Sequence, residues 1–531
     1  RCGSLQRNRT HCYDPGKKRG TSVVQPNILF ITSDQQNPNA LGFLNDFYST
    51  PSLDRLADEG VTFNRSYTAC PLCTPARATW ITGQYPYAHG AWSIGTNLTE
   101  NTVSLPSILS KAGYRTGIIG KSHFQALGQI GNVEGASHRY DTEYFRNWNG
   151  PWYGFEYAQI NTGHGDEPHS ASMHYRAWLE DRRVKINRYF REESDDDIGP
   201  GEWKLPEKSH PSTWVGDRTI DYLKRHCEER REEPFFLSVN FPEPHRPFKV
   251  PKPWHRMFED TPVGRPKRRW GEWSDKPEIY RAFIDNRVNA LGWHHKAGIP
   301  CMADAGRFSR QEFADWYSPE EEARLRIYAG MLALMDQNIG RILDAIDEFG
   351  LFENTLVVFT SDHGDYLGEH FIWSKGAMHY DGCVRVPTIV RWPGRAPSGT
   401  DSNALLSSVD IAPTILEAAE LDPDHRMQGI SQVPVLEHPD QRMRRGAFVD
   451  HRVEAGLYVN SWITERYRLS VHHRIDGEND IELYDLDHDP DEFVNLAASG
   501  KYSDVIAALM AQMLGERSYL SRDWQERPCF A

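Results

Sequence analysis

A chain of 531 residues with a net charge of −14 can bury a large core and has length for one big domain with a smaller appendage. The acidic balance argues against a phosphate-backbone binder, because nucleic-acid proteins present a basic field, so positive charge for an anionic substrate must be focused locally. No apolar run approaches the roughly 20 residues that span a bilayer, so the chain is expected to be soluble, and eight cysteines are too few for a disulfide scaffold at this length.

Residues 1–24 are basic, glycine-containing and aperiodic, and read as an extension on the fold. Order begins at Pro26. Residues 27–32 form a continuous apolar run of β type that ends in Ser33-Asp34-Gln35-Gln36, as a buried parallel strand does where it delivers polar groups. Cys73-Thr74-Pro75-Ala76-Arg77 opens a short helix that stops at Gly83. Its start puts Cys73 about at the N-cap, where free N–H groups and the helix dipole favour negative charge. The strand-then-polar shape recurs at 115–120 before Lys121-Ser122-His123, at 235–241 before His245, and at 355–360 before Ser361-Asp362-His363. An aromatic stretch from Tyr144 to Tyr157, ending at His164, either walls a substrate pocket or packs a long insertion, the second being preferred. Ser318, Pro319 and Glu321 signal the start of a helix running through Leu325, Leu332, Met335, Ile339, Ile342 and Ile346 to Gly350.

Strands alternating with helices predict an α/β fold: a large, mostly parallel sheet with helices on both faces. Ligands bind such sheets at the carboxyl ends of strands, so the four polar strand ends are expected to converge. After about Val433 the texture changes to short strands at 444–450, 457–464 and 467–472, a turn-rich stretch, and a helix at about 502–514. This predicts a smaller C-terminal antiparallel sheet with a helix. The domain reading is therefore 25–432 for a catalytic domain and 433–531 for an α+β subdomain.

Taken together, these motifs resemble the sulfatase family. Cys73 to Arg77, with Thr82-Gly83 behind, resembles the signature in which cysteine is oxidised to formylglycine. Residues 27–34 resemble the first metal strand of the family and 51–60 the segment after it. Gly120-Lys121-Ser122-His123 resembles its G-K-x-H, Pro244-His245-Arg246-Pro247-Phe248 its P-H-x-P-F, and Ser361 to Asp365 its second metal strand. Lys375 lies where the family places a lysine, and Leu483 to Leu486 with Asp489 to Glu492 and Asn495-Leu496 resembles its C-terminal tag. The resemblance covers nearly the whole chain, and it implies an alkaline-phosphatase-like fold and a sulfuric ester hydrolase.

A thiol-bound sulfate would need a separate route to release, whereas a hydrated aldehyde at residue 73 offers two hydroxyls on one carbon. The resemblance implies that one attacks sulfur and the other later expels sulfate, beside one divalent metal. Asp34, Asp362 and His363, with the oxygen at residue 73 and Gln35, are the implied ligands. Oxygen ligands favour Ca2+, while the imidazole makes Mn2+ the alternative. Gln35 and His363 depart from the commoner Asp-Asp and Asp-Asn pattern and resemble the branch of choline sulfatases and phosphonate monoester hydrolases. Arg77, Lys121 and Lys375 supply cations for the residue-73 diol and the sulfate. By resemblance His123 is the base that collapses the hemiacetal, and His245, helped by Lys375, protonates the leaving oxygen. Alignment through His89-Gly90-Ala91-Trp92 brings Ile94 or Asn97 to the place of a family sulfate-binding asparagine; Asn97 and His164 are the substrate-binding candidates.

The implied partners are a small-molecule or carbohydrate sulfate ester and a formylglycine-generating maturation enzyme. Two other functions compete: a phosphonate monoester hydrolase or phosphodiesterase on the same scaffold, and a sulfated-glycan binder without turnover. A zinc or redox reading of Cys70-Pro71-Leu72-Cys73 is weaker, since no second pair at metal spacing exists.

Overall fold

The structure is a computed structural model that describes residues 25–190, 199–269, 271–277, 280, 319–453, 457–473, 477 and 479–520. The extension at 1–24 and the helix-starting Ser318 lie outside the described residues.

The four apolar runs become strands. In chain order the main sheet contains β1 (Asn27–Ser33), β2 (Val61–Tyr67), β3 (Arg115–Lys121), β4 (Tyr157–Asn161), β5 (Phe235–Asn240), β6 (Thr355–Ser361), β7 (Thr388–Arg391) and β8 (Thr400–Ser407). Their order across the sheet is β8-β2-β7-β6-β1-β5-β3-β4. Only β7 runs antiparallel to its neighbours. The four strands foreseen from their polar ends are neighbours, β6-β1-β5-β3, and run parallel. Register aligns Ser33 with Ser361, Thr32 with Asn240 and Gly120 with Asn240. The residues that follow each strand therefore leave the sheet at one level.

Both faces are buried, as continuous apolar strands require. Leu29, Ile31, Leu237, Val239, Val357 and Phe359 pack on one side with helices α3 (Pro211–Glu229) and α4 (Pro319–Glu348). Ile28, Phe30, Ile118, Phe236 and Val358 pack on the other with Trp80 of α2 (Cys73–Thr82). The predicted stripe on α4, Leu325 to Ile346, is buried throughout. Midway along it Asp336 reaches α1 (Pro51–Asp58), where its carboxylate accepts from the backbone N–H of Ser52 and Leu53, both at 2.9 Å. Thr50 makes no side-chain cap to α1, so a neighbouring helix supplies the acceptor for its free N–H groups.

The C-terminal region forms a separate antiparallel sheet of β9 (Ala447–Val453), β10 (Leu457–Ile463), β11 (Tyr467–His473) and β12 (Asn479–Asp485). Helix α5 (Ser503–Leu520) packs on it through Leu509 and Met513. The strand β12 replaces part of the expected turn-rich stretch. Its apolar signal is hidden because Glu482, an inward position, is a buried charge bonded to His472 at 2.6 Å and to Tyr280 at 3.0 Å. The aromatic stretch before β4 packs rather than lining a cleft: Phe145, Trp152, Tyr153 and Phe155 are buried in the core on the α2 face. No helix among the described residues is long and apolar enough to cross a membrane.

Candidate functional site

Four strand ends and one helix start meet in a buried cluster. β1 delivers Asp34 and Gln35, β6 delivers Asp362 and His363, β3 ends in Lys121, β5 leads through Phe241 to His245, and α2 begins with Cys73. Leu72, not Cys73, is the N-cap of α2, and Gly83 closes the helix in the left-handed region at φ 62°. Lys121 reaches the cluster because Gly120 has φ 101° and approaches β5 so closely that an added Cβ would lie 2.0 Å from the carbonyl oxygen of Asn240. Only glycine accepts both conditions.

Ligand atoms of Asp34, Cys73, Asp362 and His363 all lie within 4.8 Å of one another, and all four residues are buried. The Cys73 thiol is 3.9 Å from Asp34 and 3.4 Å from His363 Nε2. His363 Nδ1 lies 3.0 Å from the Gly364 carbonyl, which fixes the tautomer with its proton on Nδ1 and leaves the Nε2 lone pair facing the cluster. Gln35 Nε2 donates to Asp365 at 2.6 Å, while its buried Oε1 has no hydrogen-bond partner among the described residues. Two carboxylates, an imidazole lone pair and an orphaned amide oxygen form a donor set that suits one hard or borderline divalent cation. The residues present therefore fit a metal.

The protein's own cations surround the carboxylates. Arg77 Nε donates to Asp362 at 3.0 Å, its Nη1 donates to the Lys121 carbonyl at 2.8 Å, and its Nη2 lies 3.6 Å from Asp34. Lys121 Nζ bonds Asp34 and meets His164 Nε2. Lys375 Nζ is 2.8 Å from Cys73 Sγ, 3.0 Å from His363 Nε2 and 3.2 Å from His245 Nε2. Burial and the Asp34 carboxylate oppose ionisation of Cys73, but Lys121, Lys375 and His363 overcome them and hold its thiol well below the usual range. Likewise burial raises Asp34, and Lys121, His245 and His164 bring it well below its ordinary value. The site is a buried cluster in which three cations face two carboxylates and the Cys73 thiol.

His245 and His164 stack at 3.6 Å between ring centroids, with planes 12° apart. His245 Nδ1 approaches the Arg246 carbonyl, leaving Nε2 to accept from Lys375. Burial, with His164 and Lys375 alongside, pushes His245 well down, and burial with Lys121 pushes His164 down to about 3. Lys375 keeps its proton: burial works against it, but Cys73, Asp34 and Asp362 hold it above its ordinary value.

Two predicted residues make no hydrogen bond to the cluster among the described residues. His123 is buried with φ 52°, and neither ring nitrogen has a hydrogen-bond partner among the described residues. Asn97 is not brought into the cluster. Its carboxamide ties its loop to the connection after β3, accepting from the Ala126 N–H at 2.7 Å and donating to Gln129 at 2.9 Å. Sequence reasoning gave no role to Asp365, which orients Gln35, or to His451 of the C-terminal sheet, which stacks on His379 at 5.5 Å, four residues beyond Lys375. Asp365 closes the Ser361–Asp365 strand end without a role that its type alone suggests, and His451 stands in no strand-end pattern that would have marked it.

Residues 26–421 match the family profile described as Sulfatase, and residues 368–518 match the profile described as N-sulphoglucosamine sulphohydrolase, C-terminal. The chain belongs to the sulfatase family. An arylsulfatase of Clostridium perfringens is 28% identical over 508 residues, covering 93% of this chain and 94% of its own. A choline-sulfatase of Rhizobium meliloti is 26% identical over 490 residues, covering 89% and 82%. Among solved structures, a phosphonate monoester hydrolase of Agrobacterium radiobacter superimposes with a TM-score of 0.74 at 26% identity, covering 93% of this chain and 96% of its own. These relatives place this sulfatase in the alkaline phosphatase superfamily, near the branch its Gln35 and His363 suggested.

Proposed function

We propose that this sulfatase hydrolyses sulfate monoesters by S–O cleavage, with residue 73 as a formylglycine nucleophile. The observation that carries the reading is the Cys73 side chain at the start of α2, within 3.9 Å of Asp34, His363 and Lys375. A hydrated aldehyde at this position supplies two hydroxyls on one carbon, one to attack sulfur and one whose proton loss releases sulfate. A divalent cation held by Asp34, Gln35, Asp362 and His363 would lower the pKa of a hydroxyl beside it, with Ca2+ favoured and Mn2+ the alternative.

The remaining work falls to the chain's side chains. Arg77 anchors the two metal-side carboxylates, so they keep their aim as charge moves. Lys121 and Lys375 flank the space beside Cys73 and meet the sulfate oxygens. His245 and Lys375 act as one proton-donating pair for the leaving oxygen, the resting proton sitting on Lys375. The partner-free ring of His123 serves as the base for release. His164, stacked on His245 and bonded to Asp34, holds both groups in place and faces the substrate.

All ten residues of α2 are buried, so the signature is hidden once the chain folds. Conversion of Cys73 by a maturation enzyme must therefore precede folding. The near-isosteric phosphonate esters are the second reading, favoured by the structural likeness to a phosphonate monoester hydrolase. Peptide mass spectrometry across Cys73, joined to a panel of aryl, alkyl and sugar sulfates and phosphonate monoesters, tests both. The aldehyde or hydrate mass and sulfate release are expected, with oxygen from labelled water appearing in sulfate. Full activity with an unmodified thiol, or label in the alcohol, would exclude the scheme.

A further inference from the structure

The segment that carries Lys121 and His123 turns at two residues of positive φ, Gly120 at 101° and His123 at 52°, and the second conformation is uncommon for a residue with a side chain. Glu134, eleven residues beyond His123 in the connection from β3 to β4, fixes the segment. Its Oε1 accepts from Ser122 Oγ at 2.5 Å and from the His123 N–H at 2.7 Å, and its Oε2 accepts from the Gln125 N–H at 2.6 Å.

Glu134 has no exposed surface. Among the described residues no lysine or arginine pairs with it, burial raises its pKa, and the titratable side chain that acts on it is His123. Burying a carboxylate without a cation is costly, and the three donors that offset the cost all belong to residues 122–125. Neither ring nitrogen of His123 is hydrogen-bonded among the described residues, so Glu134 acts on this histidine through the backbone and through charge and uses neither ring nitrogen.

We infer that Glu134 is a positioning residue of the reaction, fixing the Ser122–Gln125 segment, directing His123, and supplying the negative charge that stabilises an imidazolium when His123 accepts a proton. The inference rests on the reading of His123 as the base for release.

A double-mutant cycle of wild type, Glu134→Gln, His123→Ala and the double variant tests it, using whichever panel ester, sulfate or phosphonate, the wild type turns over best. Glu134→Gln is expected to lower kcat at least about tenfold with KM within about threefold, yet to cost less than about twofold when His123 is already alanine. Equal losses in both backgrounds would mean that Glu134 supports only the fold, and would overturn the inference. If Glu134→Gln does not fold, Glu134→Asp goes through the same cycle. Should the wild type turn over no ester, the functional reading falls by itself. The ring resonances of His123 in wild type and variant then decide the contact: they move if Glu134 faces the ring, and unchanged resonances overturn the inference.

Discussion

At the scale of single residues, the site rests on side chains whose roles diverge although their types repeat. His245 and His123 are both buried imidazoles, but one is tied to Lys375 at 3.2 Å and the other has no hydrogen-bond partner among the described residues. If the His245–Lys375 pair protonates the leaving oxygen, His245→Ala should slow esters of poor leaving groups, alkyl or sugar alcohols, by about 10²-fold or more while sparing activated aryl esters. His123→Ala should slow every ester alike. A plot of rate against leaving-group pKa separates them, steep for the first and flat for the second; parallel slopes would mean the roles are misassigned. Most of these residues were legible because an apolar strand that stops at an ionisable group is an uncommon pattern. Glu134 was not, since a glutamate in a glycine-containing loop looks like any solvated acid until the donors around it are seen. Asn97 is the opposite case: its neighbours in sequence suggested a site, but its amide is used in joining its loop to the connection after β3.

At the scale of elements, close approach between backbones explains what no hydrophobic pattern announces. β3 lies against β5 where Gly120 meets Asn240, and a methyl group there would sit 2.0 Å from a carbonyl oxygen at a φ of 101°. Gly120→Ala is expected to destabilise the fold by about 2–4 kcal/mol, from strain at positive φ added to displaced backbone. Chemical denaturation measures the loss, and an unchanged midpoint would show that the two strands have room to part. Helix α2 yields a second expectation. Because the whole helix is buried, folded protein that still carries the Cys73 thiol should resist an added maturation enzyme, whereas the same chain presented unfolded should be converted. Conversion of the folded form at a comparable rate, read by peptide mass, would mean that α2 opens readily. The central strands and α4 were readable from their continuous apolar runs and helical stripe. The edge strand β8 and the terminal strand β12 were not, because exposed or charged residues interrupt them: β8 alternates exposed and buried positions over its first half, and β12 buries Glu482.

At the scale of the whole molecule, many ionisable groups are buried, and their opposing shifts decide how stability follows pH. His89, His210 and His451 are pushed down to about 3 by burial, and His174 to about 4. An unfolded histidine titrates near 6.5, so between about pH 6.5 and 3 the unfolded chain binds protons that the folded one refuses. These four therefore withdraw stability as pH falls through that window. Five acids work the other way. Burial raises Glu243, Glu369 and Glu492 to about 7 and Asp336 and Asp365 to about 6, so the folded state takes up protons first and gains as pH falls toward about 4.5, below which both states are protonated and the gain stops. Glu482 is the reverse case. Although burial raises it, hydrogen bonding to His472 and the nearby Arg468 and Lys276 bring it down to about 2, so its contribution is present above about pH 4.5 and is lost below. Since each pKa unit is worth about 1.4 kcal/mol, the five acids offset the four histidines down to about pH 4.5, and below it the acids no longer oppose them while Glu482 joins the loss. The melting temperature should therefore change little from about pH 6.5 to 4.5 and collapse between about pH 4.5 and 3. Calorimetry across that range reads the curve directly. A melting temperature that stays level down to pH 3 would show that these histidines gain protons in the folded state, and that burial does not keep them neutral.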